Sequence, residues 1–400
     1  MTAAREVLIS GAGIAGPALA YWLHEHGIRG TIVERAPAPR SGGYAVDVRG
    51  AAIDVAHRMG ILENLRATTS EIARGGFVDS RGRIISGFDT STVAPGERSL
   101  EVLRGDLVRL LHESADTDTE YLYEDTITAL TQHDGGVDVT FERGEPRTFD
   151  LVVGADGLHS NVRRLAFGPE APYRRFLGSY VSIFTVPNSL ELDREARLYN
   201  TPGRLAAMYH TPRADGAKAL LLHRVNDETE IDRRDPVLQQ EHLRSTFDGM
   251  GWETDTILAE MERATDFYFD SVTQIKIDRW SQGRVTLVGD AGYCPSPMSG
   301  QGSSLAIVGA HVLAEELARH DSPETALAAY EARMRPFVAA NHAIADPGLS
   351  FIAPRSRWGI ATRNLLIKAA PLLSTLSRFS SKVSNAAEAI DLSTGTRRGV

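Results

Sequence analysis

Val7-Leu8-Ile9-Ser10-Gly11-Ala12-Gly13-Ile14-Ala15-Gly16 decides the fold class. The apolar triplet reads as a short buried strand, and residues 14–26 then place Leu19, Trp22 and Leu23 at helical spacing. Gly27 ends that helix, and Thr31-Ile32-Val33 is the next strand. In the turn between strand and helix, Gly11 permits the tight reversal and Gly13 lets backbone approach a pyrophosphate. Gly16 lets helix and strand pack closely. A helix beginning near Ile14 and Ala15 aims free N–H groups and its positive dipole end at phosphates. Glu34 falls near the offset expected of an acid that accepts hydrogen bonds from ribose hydroxyls, with Arg35 placed to lie over an adenine. An acid there disfavours a 2′-phosphate, so this site prefers FAD or NAD over NADP. A loop at Ala36-Pro37-Ala38-Pro39 through Arg40 closes the unit.

Composition limits the rest. The 400 residues are 42% hydrophobic and 24% charged, with a mean hydropathy of -0.19, which suits a soluble protein of two or three domains. A net charge of -9 argues against a nucleic-acid partner. No apolar run reaches the roughly 18 residues of a membrane span. The first strand begins too early to leave room for a signal peptide. The single cysteine, Cys294, excludes an internal disulfide and a cysteine-built metal cage, so no metal is expected and a cytoplasmic location is.

Two later motifs narrow the cofactor. Leu151-Val152-Val153-Gly154-Ala155-Asp156-Gly157 returns the chain to the first sheet, and Val285-Thr286-Leu287-Val288-Gly289-Asp290-Ala291 does so again, followed by Gly300-Gln301-Gly302 and a helix from about Ser303 to Arg319. Between them, residues 170–280 alternate apolar and polar positions, the pattern of a mostly antiparallel sheet with helices near 236–248 and 254–263. An enzyme that only borrows NAD needs neither the Gly-Asp motif nor a return to the nucleotide fold after residue 280. Reduced flavin carries negative charge at one ring edge, which a helix N-terminus at Ser303 complements.

In order and spacing, these motifs resemble those of the class A FAD-dependent aromatic hydroxylases, para-hydroxybenzoate hydroxylase-like, with the pattern of the tetracycline-inactivating monooxygenases closest. The resemblance implies an α/β fold: a GR2-type, Rossmann-like FAD-binding domain from residues 1–80, 102–169 and 280–345. A substrate domain on a mostly antiparallel sheet would take 81–101 and 170–279, and a helical segment at 346–400 would brace the two. It also implies cofactor roles for Arg104 at the flavin or pyrophosphate and for Asp47, in Gly42-Gly43-Tyr44-Ala45-Val46-Asp47, beside the ring. Asp156 belongs to the Asp-Gly motif, Asp290 to the ribityl chain, and Pro297, Gly300, Gly302 and Ser303 to the flavin ring. Most relatives have a histidine where this chain has Tyr293. The thiol of Cys294 is expected to stay buried and unmodified, so the FAD is non-covalent.

The function implied is a monooxygenase. NADH or NADPH, bound transiently, reduces the FAD; O2 adds at C4a, and the hydroperoxide delivers one oxygen to an aromatic or polyketide-like molecule. No catalytic acid or base announces itself. Phe184, Met208, Tyr209 and His223 are the candidate substrate contacts, with plain strand core the favoured reading for most of them. A flavin-dependent halogenase is disfavoured because the four tryptophans are isolated. The alternatives are an FAD-dependent reductase or dehydrogenase that inserts no oxygen, and a flavin-binding protein without catalysis. A monomer or homodimer is expected. Trp358, Ile360, Leu365, Leu366, Leu372, Leu373, Leu376 and Phe379 recur near helical spacing in the tail, which predicts a core-packing helix kinked at Pro371.

Overall fold

The computed structural model describes residues 4–39, 43–70, 72–89, 98–115, 119–212, 215–229, 231–232, 234–369 and 384–392. In the first sheet, β17 (Ser281–Gln282), β18 (Val285–Leu287), β11 (Leu151–Gly154), β1 (Glu6–Ser10), β2 (Arg29–Glu34) and β7 (Glu120–Tyr123) lie side by side in that order. All neighbours run parallel except the β17–β18 pair. Every residue of β11 is buried, as are all of β1 but Glu6, the burial expected of parallel strands covered on both faces. The opening strand and the two later returns read from the motifs are therefore adjacent strands, β1, β11 and β18. Helix Ala15–Glu25 packs against helices Arg104–Ala115 and Gly302–Arg319. The latter is buried from Ser303 to Leu317, as a helix at the centre of a domain must be.

A small antiparallel sheet of β10 (Arg147–Phe149), β9 (Gly136–Phe141) and β8 (Ile127–His133) flanks this core. A two-stranded ribbon, β3 (Ala45–Arg49) and β6 (Ser99–Leu103), leads into helix Arg104–Ala115.

The second sheet has seven strands: β16 (Tyr268–Ile275), β12 (Arg174–Val186), β15 (Ala217–Arg224), β14 (Arg204–His210), β13 (Glu195–Thr201), β4 (Arg74–Val78) and β5 (Ile84–Asp89). It is antiparallel except where β4 runs alongside β13. This moves the boundary expected from the sequence. Residues 74–80 do not stay with the first domain, because β4 hydrogen-bonds to β13. Residues 99–101 do stay with it, because β6 pairs with β3. Neither partner is close in sequence, so local patterning carried no trace of either pairing.

One face of the second sheet packs on helices Pro236–Phe247 and Thr254–Met261, through Phe184, Met208, Leu243, Phe247 and Met261. The other face meets helix Ala345–Ile352 through Val181, Leu205, Val272 and Leu349.

The tail corrects a second expectation. Helix Arg357–Ala369 does not bury its apolar stripe: Trp358 is 84% exposed and Leu365 66%. Its buried positions include Arg363 and Asn364 instead. The Arg363 guanidinium lies 3.5 Å from the centroid of Phe77 and donates to Asn200 Oδ1 at 2.8 Å and to the carbonyls of Phe351 and Ile352. Burial pulls its pKa down to about 10. Polar docking wins here because these three acceptors, Asn364 Oδ1 as a fourth, and an aromatic face satisfy a long cation whose stem is itself apolar. Pro371 and Leu372 to Phe379 lie outside the described residues. We expect Arg363→Ala to cost about 2 kcal/mol and Trp358→Ser less than about 0.5 kcal/mol, compared by thermal melts; equal losses would contradict this docking.

Candidate functional site

The phosphate turn is built from steric necessity. Gly11 has φ of +108°, and a Cβ there would lie 2.6 Å from the Ala155 carbonyl oxygen. At Gly16 a Cβ would lie 2.0 Å from the Gly11 carbonyl oxygen. Gly13 differs: its nearest obstacle is Arg104 Nη2 at 3.6 Å, so its open side faces a cavity. Helix Ala15–Glu25 has no side-chain cap and no acid in its first turn. The same holds for helix Gly302–Arg319, whose N-cap residue is Gln301. Both N-termini open on that one cavity, lined by Ile14, Ala15, Gly302 and Ser303. Two uncapped helix ends at one cavity form an anion-favouring field.

The cavity encloses about 1040 Å³ and runs from Glu34 and Arg35 to the second sheet. The Glu34 carboxylate is held by the N–H groups of Ala12 and Ala36, each at 2.8 Å, which leaves lone pairs for further donors. Arg104 opens its helix with its N–H donating to the Tyr44 carbonyl at 3.0 Å. Asp290 lines the cavity; burial raises its carboxyl pKa against the opposing influence of the Cys294 thiol and Arg104. A carboxylate this poorly compensated by the protein suits an incoming row of hydroxyl donors. Asp47, Pro297 and Gly300 line the same region, and Gly300 takes φ of +63° at the end of the turn Pro297–Ser299.

Asp156 and Gly289 serve the protein's own packing, and Gly16 packs helix on strand as its spacing predicts. The Asp156 carboxylate accepts from the Ser160 hydroxyl and from the N–H groups of Asn161 (2.8 Å) and Val162 (3.0 Å), so it caps helix Asn161–Phe167 while its residue still borders the cavity. Gly289, with φ of +65°, lets Ala15 and Ala306 approach to 3.3 and 3.5 Å of its Cβ position. Gly16 and Gly289 are thus packing glycines and do not line the cavity. Arg40 lies outside the described residues.

On the substrate side, Tyr209 lines the cavity and receives the Ala45 N–H at 3.4 Å. Phe184, Met208 and His223 do not line it. They point to the opposite face of the sheet, where Phe184 and Met208 join the helical core and His223 Nε2 meets His242 Nε2 at 2.8 Å. The reason is the two-residue period of a strand: neighbours such as Met208 and Tyr209 must face opposite ways. The wall itself is Val181, Ile183, Leu198, Leu205, Leu220 and Tyr268. Alternation marks these as one face, but nothing local says which face meets the cofactor. Glu101 also lines the cavity and was not singled out from the sequence.

The Gly-Asp motif's unusual Tyr293 turns away from all this. It is fully buried, its hydroxyl 2.9 Å from that of Tyr330, in space left by Gly309, where a Cβ would lie 2.0 Å from the Tyr293 oxygen. Cys294 is buried and lines the cavity, with its thiol pKa raised by burial and by Asp290.

These features fit FAD: an anion-favouring middle, carboxylates placed for hydroxyls on either side, and an apolar chamber at one end. The comparisons agree. The family model described as FAD binding domain matches residues 4–345. A flavin-dependent monooxygenase from an unknown prokaryotic organism is 41% identical over 345 residues, covering 85% of this chain and 88% of the relative. An uncharacterised protein of Mycobacterium tuberculosis is 44% identical over 354 residues, covering 88% and 95% respectively. Among solved structures, the tetracycline destructase Tet(55) superposes with a TM-score of 0.84 at 37% identity, covering 98% of this chain and 99% of its own. The family-model match over residues 4–345 and the 41% identity to a flavin-dependent monooxygenase thus place this chain in the FAD-binding-domain family of flavin-dependent monooxygenases.

Proposed function

We propose that this enzyme uses NADH or NADPH and O2 to hydroxylate a planar, polycyclic phenol or enol of the polyketide type. The observation that carries this reading is the continuity of the cavity: the pocket that takes the cofactor runs without a wall into a chamber faced by Val181, Ile183, Leu205, Leu220 and Tyr268. A broad apolar face set against the Pro297–Gly300 turn favours a flat, ring-rich substrate over a small polar one. The likeness to a tetracycline destructase supports the same class.

Bound FAD supplies the two-electron chemistry and the activation of oxygen. The chain's own residues do the rest. Helix N-termini at Ala15 and Gly302 receive negative charge. Glu34 and Asp290 take ribose and ribityl hydroxyls, and Arg104 sits across the phosphate turn. The apolar β12–β15 wall excludes water from the chamber while it orients the substrate.

The test is direct. Holoenzyme incubated with NADH or NADPH in air and with tetracycline or a hydroxyanthraquinone should consume O2 in step with nicotinamide and yield a product heavier by one oxygen. Nicotinamide oxidation with reduced substrate and no O2 uptake would establish a reductase instead.

A further inference from the structure

β3 and β6 bring two acids together at the chamber's entrance. Asp47 and Glu101 are directly opposed across this antiparallel ribbon, so their side chains leave on one face. Both line the cavity, and Asp47 Oδ2 lies 3.3 Å from the Cβ position of Gly300, in the turn assigned to the flavin ring. Like charges so placed repel, and the two are not equally compensated. Asp47 Oδ1 pairs with Arg49 at 3.0 Å. Glu101 receives only the Ser70 hydroxyl, on Oε1; among the described residues its Oε2 has no hydrogen-bond partner.

Of the cavity's other acids, Asp290 is the one proposed above for the ribityl hydroxyls, and Asp125 accepts from the N–H groups of Thr126, Glu142, Arg143 and Gly144. Glu34 holds two backbone donors, and Asp156 caps a helix. Both ring nitrogens of His159 meet carboxylates, Glu170 at 3.0 Å and Asp270 at 3.3 Å. Burial raises the phenols of Tyr44, Tyr209 and Tyr268 and the Cys294 thiol, so these stay protonated near neutral pH.

We propose that Asp47 and Glu101 share a single proton at the substrate end of the cavity, and that Glu101 Oε2 is the acceptor of the substrate's phenol or enol proton. This rests on the hydroxylase reading above. The substrate O–H bond breaks, its electron pair stays on the substrate oxygen, and the proton passes to Glu101 and from there to solvent through the cavity mouth. The oxygen so ionised enriches the ring that is to be attacked. Burial first, and the Asp47 charge second, push Glu101 up to about 7, while Ser70 and Arg49 pull the other way. Tyr209, which faces Glu101 from β14, stays neutral and adds no charge. The deprotonated acid is the working form, so the rate rises with pH through about 7.

Two measurements on holoenzyme test the pair. Infrared titration should show one carboxylic-acid C=O band that disappears with a midpoint near 7 in the wild type. The band should vanish in Glu101→Gln, and in Asp47→Asn its midpoint should fall by about one pH unit as the repulsion is removed. Substrate turnover against pH should lose its rising limb in Glu101→Gln, with a plateau about 100-fold lower, while Glu101→Asp keeps the limb. An unchanged band in Glu101→Gln, or a surviving limb, would overturn the proposal. Absence of turnover in every variant, wild type included, counts against the hydroxylase reading alone, the carboxyl band still supporting the pair.

Discussion

Asp290→Ala should purify largely colourless. The carboxylate opens on the cavity with only the Cys294 thiol and a more distant arginine to answer its charge. Hydrogen bonds from ligand hydroxyls to an ionised acid are each worth about 1.5–3 kcal/mol. Losing two of them is expected to weaken FAD binding by about 100-fold or more. The variant should otherwise fold, since Asp290 makes no ion pair among the described residues, and Asp290→Asn should retain part of the colour through its amide oxygen. Visible flavin absorbance relative to protein, followed by FAD titration of the stripped forms, measures both. A fully yellow Asp290→Ala would remove the ribityl assignment and with it the orientation of the cofactor.

The second large effect separates two glycines that look alike in the sequence. Gly16→Ala would drive a Cβ to 2.0 Å from the Gly11 carbonyl oxygen, so the turn must open or helix Ala15–Glu25 must shift. The expected cost is about 3 kcal/mol, seen as a lower melting temperature with or without FAD. Gly13→Ala meets no protein atom closer than 3.6 Å. Its stripped form should melt within a few degrees of the wild type, yet lose FAD, because the added methyl occupies the space of the pyrophosphate. Stability and cofactor loss thus go together at 16 and come apart at 13. Equal behaviour of the two variants would show that the cofactor does not enter over Gly13.

Legibility in the sequence followed the range of the interaction. The strand-turn-helix-strand of residues 6–34 could be read whole, because each glycine answers to neighbours within that unit or to the adjoining strand. Asp290 and the Gly300–Ser303 turn were readable for a similar reason: one short segment carries carboxylate, turn and helix start together. Tyr209 lines the cavity while Phe184, Met208 and His223 face away from it, although all four sit in strands of the second sheet. The difference is one of parity, which a strand reveals, and of absolute facing, which it does not. Glu101 carries no local signal, because an acid in an amphipathic strand looks like a solvated one. The exposed Trp358 and buried Arg363 inverted the tail for the complementary reason: helical periodicity marks a stripe, and only the surface it meets says which stripe is used.

Taken alone, the chain determined its cofactor class, the two returns to the first sheet and the helix ends that favour negative charge, since these rest on steric and hydrogen-bonding demands made over a few residues. Tertiary structure decided which strand face became the chamber wall, that β4 joined the second sheet, and that Asp47 and Glu101 stand opposed with one arginine between them. Those outcomes depend on pairings across dozens of residues, where the free energy comes from burying whole surfaces against each other and no single segment carries the sign of the choice.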